Sequence, residues 1–280
     1  MAVREMLPWD SARLGIACSL GDSEDTARKA LSEARQAGFT RAQLQIPWTR
    51  VDDSFLRKVP GWLRQEGLQA DVLGAYVNCC LPANVWMDCR EQDFDRAIET
   101  AGLIGARRLV AWTGGYGADL MKADPRNHDP AAEDAVCRFV EIRTRKMESS
   151  GLQLALETYI TLVCPDAVSL SRLLKRLPNR VGAVLDPPNL TPIALFPQRD
   201  KVLKDMFRLL AGRIQLVHLK DFRLAPGGAS YLLPGPMEGD LNYRLFLDRI
   251  RQLPSDIPVI AEHLSSRQFA NARQRLLASF

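Results

Sequence analysis

Histidine is scarce in this 280-residue chain, which contains three, and none of its six cysteines is spaced as C-x-x-C. The scarcity of these ligands excludes a paired-thiolate zinc cluster and any multi-metal centre that needs many histidines. The chain has no run of about 20 apolar residues, so we expect no membrane-spanning helix. Cysteines without a pairing pattern indicate the reduced thiols of a cytoplasmic protein.

An excess of charge of one sign is also missing. The 37 basic and 33 acidic residues leave a net charge of +4, and the two signs are interspersed along the chain. No basic arm is present, so nucleic acid is not an expected partner. Residues 1–10 lack the apolar stretch followed by small residues that is typical of a secretory signal. Together these features predict a soluble cytoplasmic protein with neither nucleic acid nor a membrane as partner.

The composition is that of one well-packed globular domain. Apolar residues make up 46% of the chain and charged residues 25%, and no linker divides it. The length suits one barrel of about 250 residues with modest insertions. We therefore predict a single domain over residues 1–280.

Apolar runs typical of buried strands alternate with amphipathic, helix-like runs along the whole chain. This alternation predicts an α/β fold, a single (β/α)8 TIM barrel of parallel strands with its active site at the carboxyl ends of those strands. Asp22 or Ser23 is expected to cap the first helix and Asp240 or Asn242 a later one, and Pro60 is expected to break the helix after the second strand. The predicted strands cover residues 14–19, 40–46, 69–77, 108–112, 152–157, 181–186, 213–219 and 257–262.

Three long connections, at residues 113–130, 187–198 and 222–241, all follow strands. In a β/α barrel such connections gather at the carboxyl ends of the strands. Long ordered loops in that position usually serve binding.

Four residues with metal-binding side chains, Glu157, Asp186, His218 and Glu262, each end a short apolar run. One carboxylate in that position is explained equally well as a helix cap or an ion-pair partner. Three carboxylates brought together would repel each other, and a divalent cation would remove that repulsion. Oxygen and nitrogen ligands without thiolate favour Mn²⁺, Mg²⁺ or Co²⁺ over a structural zinc.

The same residues carry a resemblance to a known family. Glu157 and the segments Leu-Asp186-Pro-Pro-Asn-Leu, Val-His218-Leu-Lys-Asp, Glu238-Gly-Asp and Ala-Glu262-His resemble the sugar phosphate isomerase/epimerase family. These xylose-isomerase-like TIM barrels include ketose 3-epimerases and inosose dehydratases. The resemblance is greatest between residues 152 and 263.

The resemblance implies a divalent-metal-dependent isomerase or epimerase that acts on a small keto sugar or related polyol. Glu157, Asp186, His218 and Glu262 would bind one metal ion, with Mn²⁺ favoured and Mg²⁺, Co²⁺ or Zn²⁺ as alternatives. Glu157 and Glu262 would be the catalytic acid and base, which remove a proton next to the carbonyl through a metal-stabilised enediolate. The substrate would be a small polyhydroxylated carbonyl compound, and homo-oligomers are common among such barrels.

Five residues are predicted to bind the substrate: Asn189, Lys220, Arg223, Trp112 and Glu238. Asn189 stands where epimerase relatives commonly carry a histidine, and asparagine donates a hydrogen bond but supplies no proton at neutral pH. Lys220 and Arg223 suit a hydroxyl, carboxylate or phosphate, or they are solvated charges at a strand exit. Trp112 suits the face of a sugar ring, although core packing is its commoner role.

Three other functions are consistent with parts of this sequence pattern. A dehydratase of the inosose or dehydroshikimate type shares the first chemical step. A catalytically idle barrel would keep the fold and bind a sugar-like ligand without catalysing a reaction. An endonuclease for abasic DNA sites belongs to the same superfamily, but its metal centre needs more histidines than this chain has.

Overall fold

The computed structural model describes residues 11–117, 119 and 122–279. The first and last residues of the predicted domain lie outside the described residues. Residues 1–10, which were compared with a secretory signal, lie outside them too. Part of the 113–130 connection lies outside them as well.

Eight parallel strands form a closed barrel in the order β1-β10-β7-β6-β5-β4-β3-β2, and β1 pairs with β2 to close it. A short antiparallel hairpin, β8–β9, lies within the connection that follows β7. The predicted (β/α)8 TIM barrel is thereby confirmed. The strands are Leu14–Ser19 (β1), Arg41–Gln45 (β2), Gln69–Asn78 (β3), Arg108–Trp112 (β4), Gln153–Glu157 (β5), Val181–Leu185 (β6), Ile214–Leu219 (β7), Arg223–Leu224 (β8), Tyr231–Leu232 (β9) and Val259–Ala261 (β10).

Helices alternate with these strands and cover the outside of the barrel. They are Glu24–Gln36 (α1), Asp53–Glu66 (α2), Glu91–Ile104 (α3), Pro130–Lys146 (α4), Ala167–Lys175 (α5), Pro187–Leu190 (α6), Arg199–Leu209 (α7), Tyr243–Ile250 (α8) and Phe269–Ala278 (α9). Short 3-10 turns cover Ser11–Arg13, Trp48–Arg50, Pro125–His128, Ile193–Gln198 and Ser266–Gln268. None of the helices in the described part of the chain has the length and hydrophobicity required to span a bilayer.

Seven predicted strands agree with the structure to within one residue at each end. The last prediction, 257–262, was too long, because β10 begins only at Val259. Pro258 has no N–H to donate to a neighbouring strand, which accounts for the later start.

The strands are buried on both faces, and this explains their nearly continuous apolar sequence. Side chains that point into the barrel form a compact inner layer of Val72, Tyr76, Val110, Ala155, Val184, Leu216 and Ile260. A much larger core lies between the barrel and the surrounding helices. All six cysteines are buried and unpaired.

The prediction that Pro60 breaks a helix was wrong, because α2 continues through it to Glu66. A proline inside a helix costs about 3 kcal/mol. The helix buries Phe55, Leu56, Val59, Trp62 and Leu63 on one face. Since each such side chain contributes roughly 1.5 to 3 kcal/mol when buried, packing outweighs the lost hydrogen bond.

Two of the predicted caps are present. The Ser23 hydroxyl accepts a hydrogen bond from the backbone N–H of Thr26, and the Asn242 side chain accepts one from Leu245. These contacts fix where α1 and α8 begin, and therefore where the preceding loops end.

Candidate metal centre

The four predicted metal ligands lie together at the carboxyl ends of four adjacent strands. Glu157 is the last residue of β5, Asp186 directly follows β6, His218 lies in β7 and Glu262 directly follows β10. All four are buried, and one potential ligand atom from each lies within 4.8 Å of the others. The order of the strands around the barrel, β5-β6-β7-β10, accounts for this convergence.

The imidazole of His218 faces all three carboxylates. Its Nδ1 lies 3.2 Å from Glu262 Oε2, 3.5 Å from Asp186 Oδ2 and 3.7 Å from Glu157 Oε2. His218 Nδ1, Glu157 Oε2 and Asp186 Oδ1 are buried without a hydrogen-bond partner, whereas Asp186 Oδ2 pairs with Lys220. Buried polar atoms rarely stay unpartnered, so a set of them facing one point fits a bound cation.

Asp186 also occupies the N-cap position of α6, which was the alternative explanation for a carboxylate at a strand end. Its side chain makes no capping hydrogen bond there. Its carboxylate is directed toward His218 and Lys220 instead. The position alone therefore does not make Asp186 a cap.

Lys220, two residues beyond His218, places a second basic group against the carboxylates. Its Nζ lies 2.6 Å from Asp186 Oδ2, 3.7 Å from Glu262 Oε2 and 4.0 Å from Glu157 Oε1. The ammonium group is buried, and it forms an ion pair with Asp186.

The charges of this cluster shift the pKa values of its members. Burial favours neutral imidazole, yet the nearby carboxylates of Glu262 and Glu157 raise the pKa of His218 to about 10. Burial raises the pKa of Glu262. Burial is also the largest single influence on Asp186, but Lys220 and His218 together outweigh it and lower the pKa of Asp186. Three acidic groups and two basic groups are thus held in one strongly coupled cluster.

Gln43, in β2, connects His218 to the opposite side of the barrel. Its Oε1 lies 3.0 Å from His218 Nε2, and its Nε2 donates to Tyr76 Oη at 2.8 Å and to Glu262 Oε1 at 3.3 Å. Since Gln43 Oε1 can only accept, His218 must donate from Nε2. In neutral His218 the Nδ1 lone pair is then directed at the three carboxylates.

Two of the four ligands, Glu157 and Glu262, line a cavity of about 270 Å³ whose wall is mainly apolar. Trp86, Met87, Trp112, Tyr159 and Leu233 contribute most of the apolar wall. A second cavity of about 520 Å³ shares Gln45, Met87, Glu262 and His263 with the first. An apolar wall over a few convergent polar groups is the usual form of a small-molecule site.

The structure brings three of the five predicted substrate residues to this cavity. Asn189 donates from Nδ2 to Glu157 Oε1 at 2.9 Å, and Lys220 and Trp112 also line the cavity. Arg223 and Glu238 do not line it. Arg223 is exposed on β8 and donates to the Glu238 carbonyl oxygen, while Glu238 Oε1 lies 2.6 Å from Arg275.

Several residues of the site were missed at the level of sequence. Arg41, Gln43 and Gln45 alternate with Ala42 and Leu44 in β2, and polar residues at a spacing of two indicate one polar face. Trp86 and Met87 come from the connection after β3, where large apolar residues in a polar loop were the available signal. Tyr159 lies in the short segment after β5, and no sequence pattern distinguishes it.

Among curated protein sequences, none matches this chain. Solved structures match it over nearly the full length. D-allulose 3-epimerase from Methylomonas sp., in complex with D-allulose, has 14% identity and a TM-score of 0.70, covering 96% of this chain and 97% of its own. The 3-keto-D-glucoside 4-epimerase from E. coli has 13% identity and a TM-score of 0.64, covering 96% and 99%.

A third solved structure, a xylose isomerase-like TIM barrel protein from Mycobacterium smegmatis in complex with magnesium, has 18% identity and a TM-score of 0.67. The match covers 92% of this chain and 89% of that one. At these identities the three similarities show a common fold. A family model described as the xylose isomerase-like TIM barrel matches residues 31–279, and the chain therefore belongs to that family.

Proposed function

We propose that this protein is a divalent-metal-dependent isomerase or epimerase acting on a small keto sugar or related polyol. The observation that supports this most directly is the cluster of Glu157, Asp186, His218 and Glu262, in which Glu157 Oε2, Asp186 Oδ1 and His218 Nδ1 are buried without a hydrogen-bond partner. The D-allulose 3-epimerase that was solved in complex with D-allulose supports the same class of substrate.

Glu157, Asp186, His218 and Glu262 would hold the ion, with Mn²⁺ as our first choice. When bound, a divalent ion polarises the substrate carbonyl and stabilises the negative charge that develops on its oxygen. His218 would bind through Nδ1, because its Nε2 donates to Gln43.

Glu157 and Glu262 are the proposed acid and base. Strands β6 and β7 separate β5 from β10, so the two carboxylates approach the cavity from different sides. A proton removed next to the carbonyl by one carboxylate can then be returned to the opposite face by the other. Asn189 donates a hydrogen bond to Glu157 Oε1 and thereby fixes the orientation of this carboxylate.

Lys220 and Trp112 would bind the substrate at the same time. The ammonium of Lys220 can donate to a substrate oxygen, and Trp112 can pack against the apolar face of a sugar ring. The aromatic wall around them would exclude water, which strengthens the charge interactions in the cavity.

A dehydratase of the same family is the alternative. Loss of water needs a proton donor for the departing hydroxyl group, and the Lys220 ammonium lies within 4.0 Å of all three carboxylates. Asn189 cannot serve in that role. Both reactions begin with the same proton abstraction, so the first test below covers both.

The first test measures metal binding and proton exchange together. We expect purified protein to bind about one equivalent of Mn²⁺ and to melt at a higher temperature with Mn²⁺ than in EDTA, since a ligand at 100 times its Kd stabilises by about 2.7 kcal/mol. With Mn²⁺, screens of ketoses, inososes and dehydroshikimate should reveal deuterium uptake at one carbon. Binding without any uptake would support the idle barrel, and the absence of both would refute the proposal.

Gln43→Leu is expected to weaken Mn²⁺ binding roughly 10- to 100-fold, the usual effect of removing a partner that orients a metal-binding histidine. The leucine side chain has similar size but neither accepts from His218 nor donates to Glu262. Isothermal titration calorimetry with Mn²⁺ measures the change.

Gln45→Leu is the matched control for that substitution. Gln45 lies two residues along the same strand and lines the same cavity, but the described structure has no hydrogen bond from it to His218. We expect its Mn²⁺ affinity to stay within about threefold of the wild type. Equal losses of Mn²⁺ affinity in both variants would show that the effect comes from altering β2 and not from the lost hydrogen bond to His218.

A further inference from the structure

The second cavity, of about 520 Å³, lies beside the first at the carboxyl ends of the strands. Its lining comes mainly from β1, from α1 and from the segment between the end of β10 and the start of α9. Of the four proposed metal ligands, Glu262 alone lines it. The metal centre therefore accounts for one edge of this space. We call it the side cavity.

Four side chains line both cavities and form the boundary between them: Gln45, Met87, Glu262 and His263. Met87 has a φ of 43° and His263 a φ of 55°, in the left-handed region that residues other than glycine rarely adopt. Such a backbone persists where the surrounding structure fixes it, and it is concentrated at ligand sites. The turn that carries Met87 is fixed by two backbone hydrogen bonds of 2.8 Å between Trp86 and Cys89. A ligand in the first cavity can therefore extend past a fixed boundary into the side cavity.

The side cavity is nearly twice as large as the first, which measures about 270 Å³. Sites for small-molecule ligands typically measure about 300 to 1,000 Å³, so the first cavity suits a single sugar ring and the side cavity has room for a second group. Apolar Leu264 and Phe269 line it together with polar Ser19, Glu33 and Ser266. This mixture suits a group that has both apolar faces and hydroxyl groups.

The lining of the side cavity is acidic. It contains Glu33 and Glu262, and no lysine or arginine of the described part of the chain contributes to it. Glu33 Oε1 lies 4.0 Å from the Nζ of exposed Lys29, and exposed pairs of this kind are weak. The Glu33 carboxylate can therefore accept hydrogen bonds from hydroxyl groups, whereas it would repel a phosphate or carboxylate group.

We propose that the side cavity binds a second, neutral polyhydroxylated group of the substrate, so that the keto sugar at the metal centre carries a glycosyl substituent. Glu33 would accept hydrogen bonds from this group. His263 would contact it at the boundary, where a neutral imidazole both donates and accepts. The inference rests on the proposed function for the reacting part of the substrate, and it adds that the remaining part is large and uncharged.

Calorimetry with D-fructose and with disaccharides that carry a glucosyl group on O3, O4, O5 or O6 of fructose tests this proposal. We expect one of these disaccharides to bind about tenfold more tightly than D-fructose, as for one or two added hydrogen bonds. Fructose 6-phosphate adds charge in place of a neutral ring and should bind no more tightly than D-fructose. The proposal is overturned if no disaccharide binds more tightly than D-fructose, or if fructose 6-phosphate binds more tightly than all of them.

Ala30→Phe would fill the side cavity. Ala30 is a partly buried residue of α1 that lines the side cavity and not the first one. We expect the disaccharide to lose its advantage over D-fructose in this variant, while the Mn²⁺ affinity stays unchanged. Ala131→Phe makes the same change at an exposed position of α4 and should retain the advantage. A full advantage in Ala30→Phe would place the second group elsewhere and contradict the proposal.

Glu33→Lys tests the charge of the side cavity without filling it. We expect fructose 6-phosphate to bind about tenfold more tightly to this variant than to the wild type, because a repelling charge is replaced by an attracting one. Glu99→Lys makes the same change at an exposed position of α3 and should leave the affinity for fructose 6-phosphate unaltered. Equal affinities in Glu33→Lys and the wild type would show that the substrate does not reach this carboxylate.

Failure of this inference and failure of the proposed function give different results. Affinities are measured with Mn²⁺ and again in EDTA, because neither Ala30 nor Glu33 is a proposed metal ligand. Proton exchange with Mn²⁺ but no preference for any disaccharide would refute the second subsite alone. A disaccharide preference in EDTA, without exchange when Mn²⁺ is added, would support the subsite and refute the proposed chemistry.

Discussion

Replacing Glu157 or Glu262 by glutamine is expected to reduce the exchange of a carbon-bound substrate proton with deuterated water by about 100- to 10,000-fold. General acid-base groups contribute rate factors of this size, and an amide of the same shape can neither take up nor return the proton. The measurement is the initial rate of deuterium incorporation, followed by NMR on a substrate identified in the screen. Each variant is measured at saturating Mn²⁺.

Both glutamates are also proposed metal ligands, so a variant that no longer binds the metal would also lose proton exchange. The two causes must be distinguished. Metal content is therefore measured on the same samples, and only variants that retain the ion are compared. Glu148→Gln makes the same chemical change on an exposed turn after α4, and it should exchange as the wild type does. Full exchange in either site variant with metal bound would remove that glutamate from its proposed role.

The sequence was sufficient to predict the barrel because buried parallel strands have a distinctive pattern. Each strand is a short apolar run, and the position of a carboxylate or histidine at its end indicates which end of the barrel holds the site. Glu157, Asp186, His218 and Glu262 were identified in this way, and the structure brings them within 4.8 Å of one another. That prediction rested on the short apolar runs and on their order along the chain.

Contacts between distant segments could not be predicted in the same way. Gln43 is 175 residues from His218 along the chain, and only closure of the barrel brings its amide to the imidazole. Arg223 was predicted near the substrate because it follows His218 closely, but the β8–β9 hairpin carries it into solvent. The continuation of α2 through Pro60 likewise depended on the surface it packs against.

At the carboxyl ends of the strands, three buried carboxylates face Lys220 and the imidazole of His218. A bound divalent cation would balance the charge of these carboxylates with His218 neutral, and this is the physical reason for assigning a cation to this end of the barrel.

Lys220→Met is expected to destabilise the metal-free protein by roughly 3 to 5 kcal/mol, the usual cost of removing one partner of a buried ion pair. The Lys220 ammonium is the ion-pair partner of Asp186 and lies within 4.0 Å of Glu157 and Glu262. Methionine has a similar length and no charge, so the three carboxylates would face each other without that cation. Urea unfolding in EDTA measures the loss.

The same substitution should improve metal binding. Lys220 and a divalent ion would face the same carboxylates, and like charges that close repel each other by on the order of 1 to 4 kcal/mol. We therefore expect Lys220→Met to bind Mn²⁺ about tenfold more tightly and to recover its stability when Mn²⁺ is added. Lys204→Met, an exposed position on α7, should change neither the unfolding midpoint nor the Mn²⁺ affinity.

These opposite effects separate two roles for Lys220. A residue that only binds substrate would lower the exchange rate and leave both the unfolding midpoint in EDTA and the Mn²⁺ affinity unchanged. A residue that stands in for the metal cation would change both quantities, in opposite directions, whatever the substrate. The 2.6 Å ion pair with Asp186 favours the second outcome, and an unaltered Mn²⁺ affinity in Lys220→Met would contradict it.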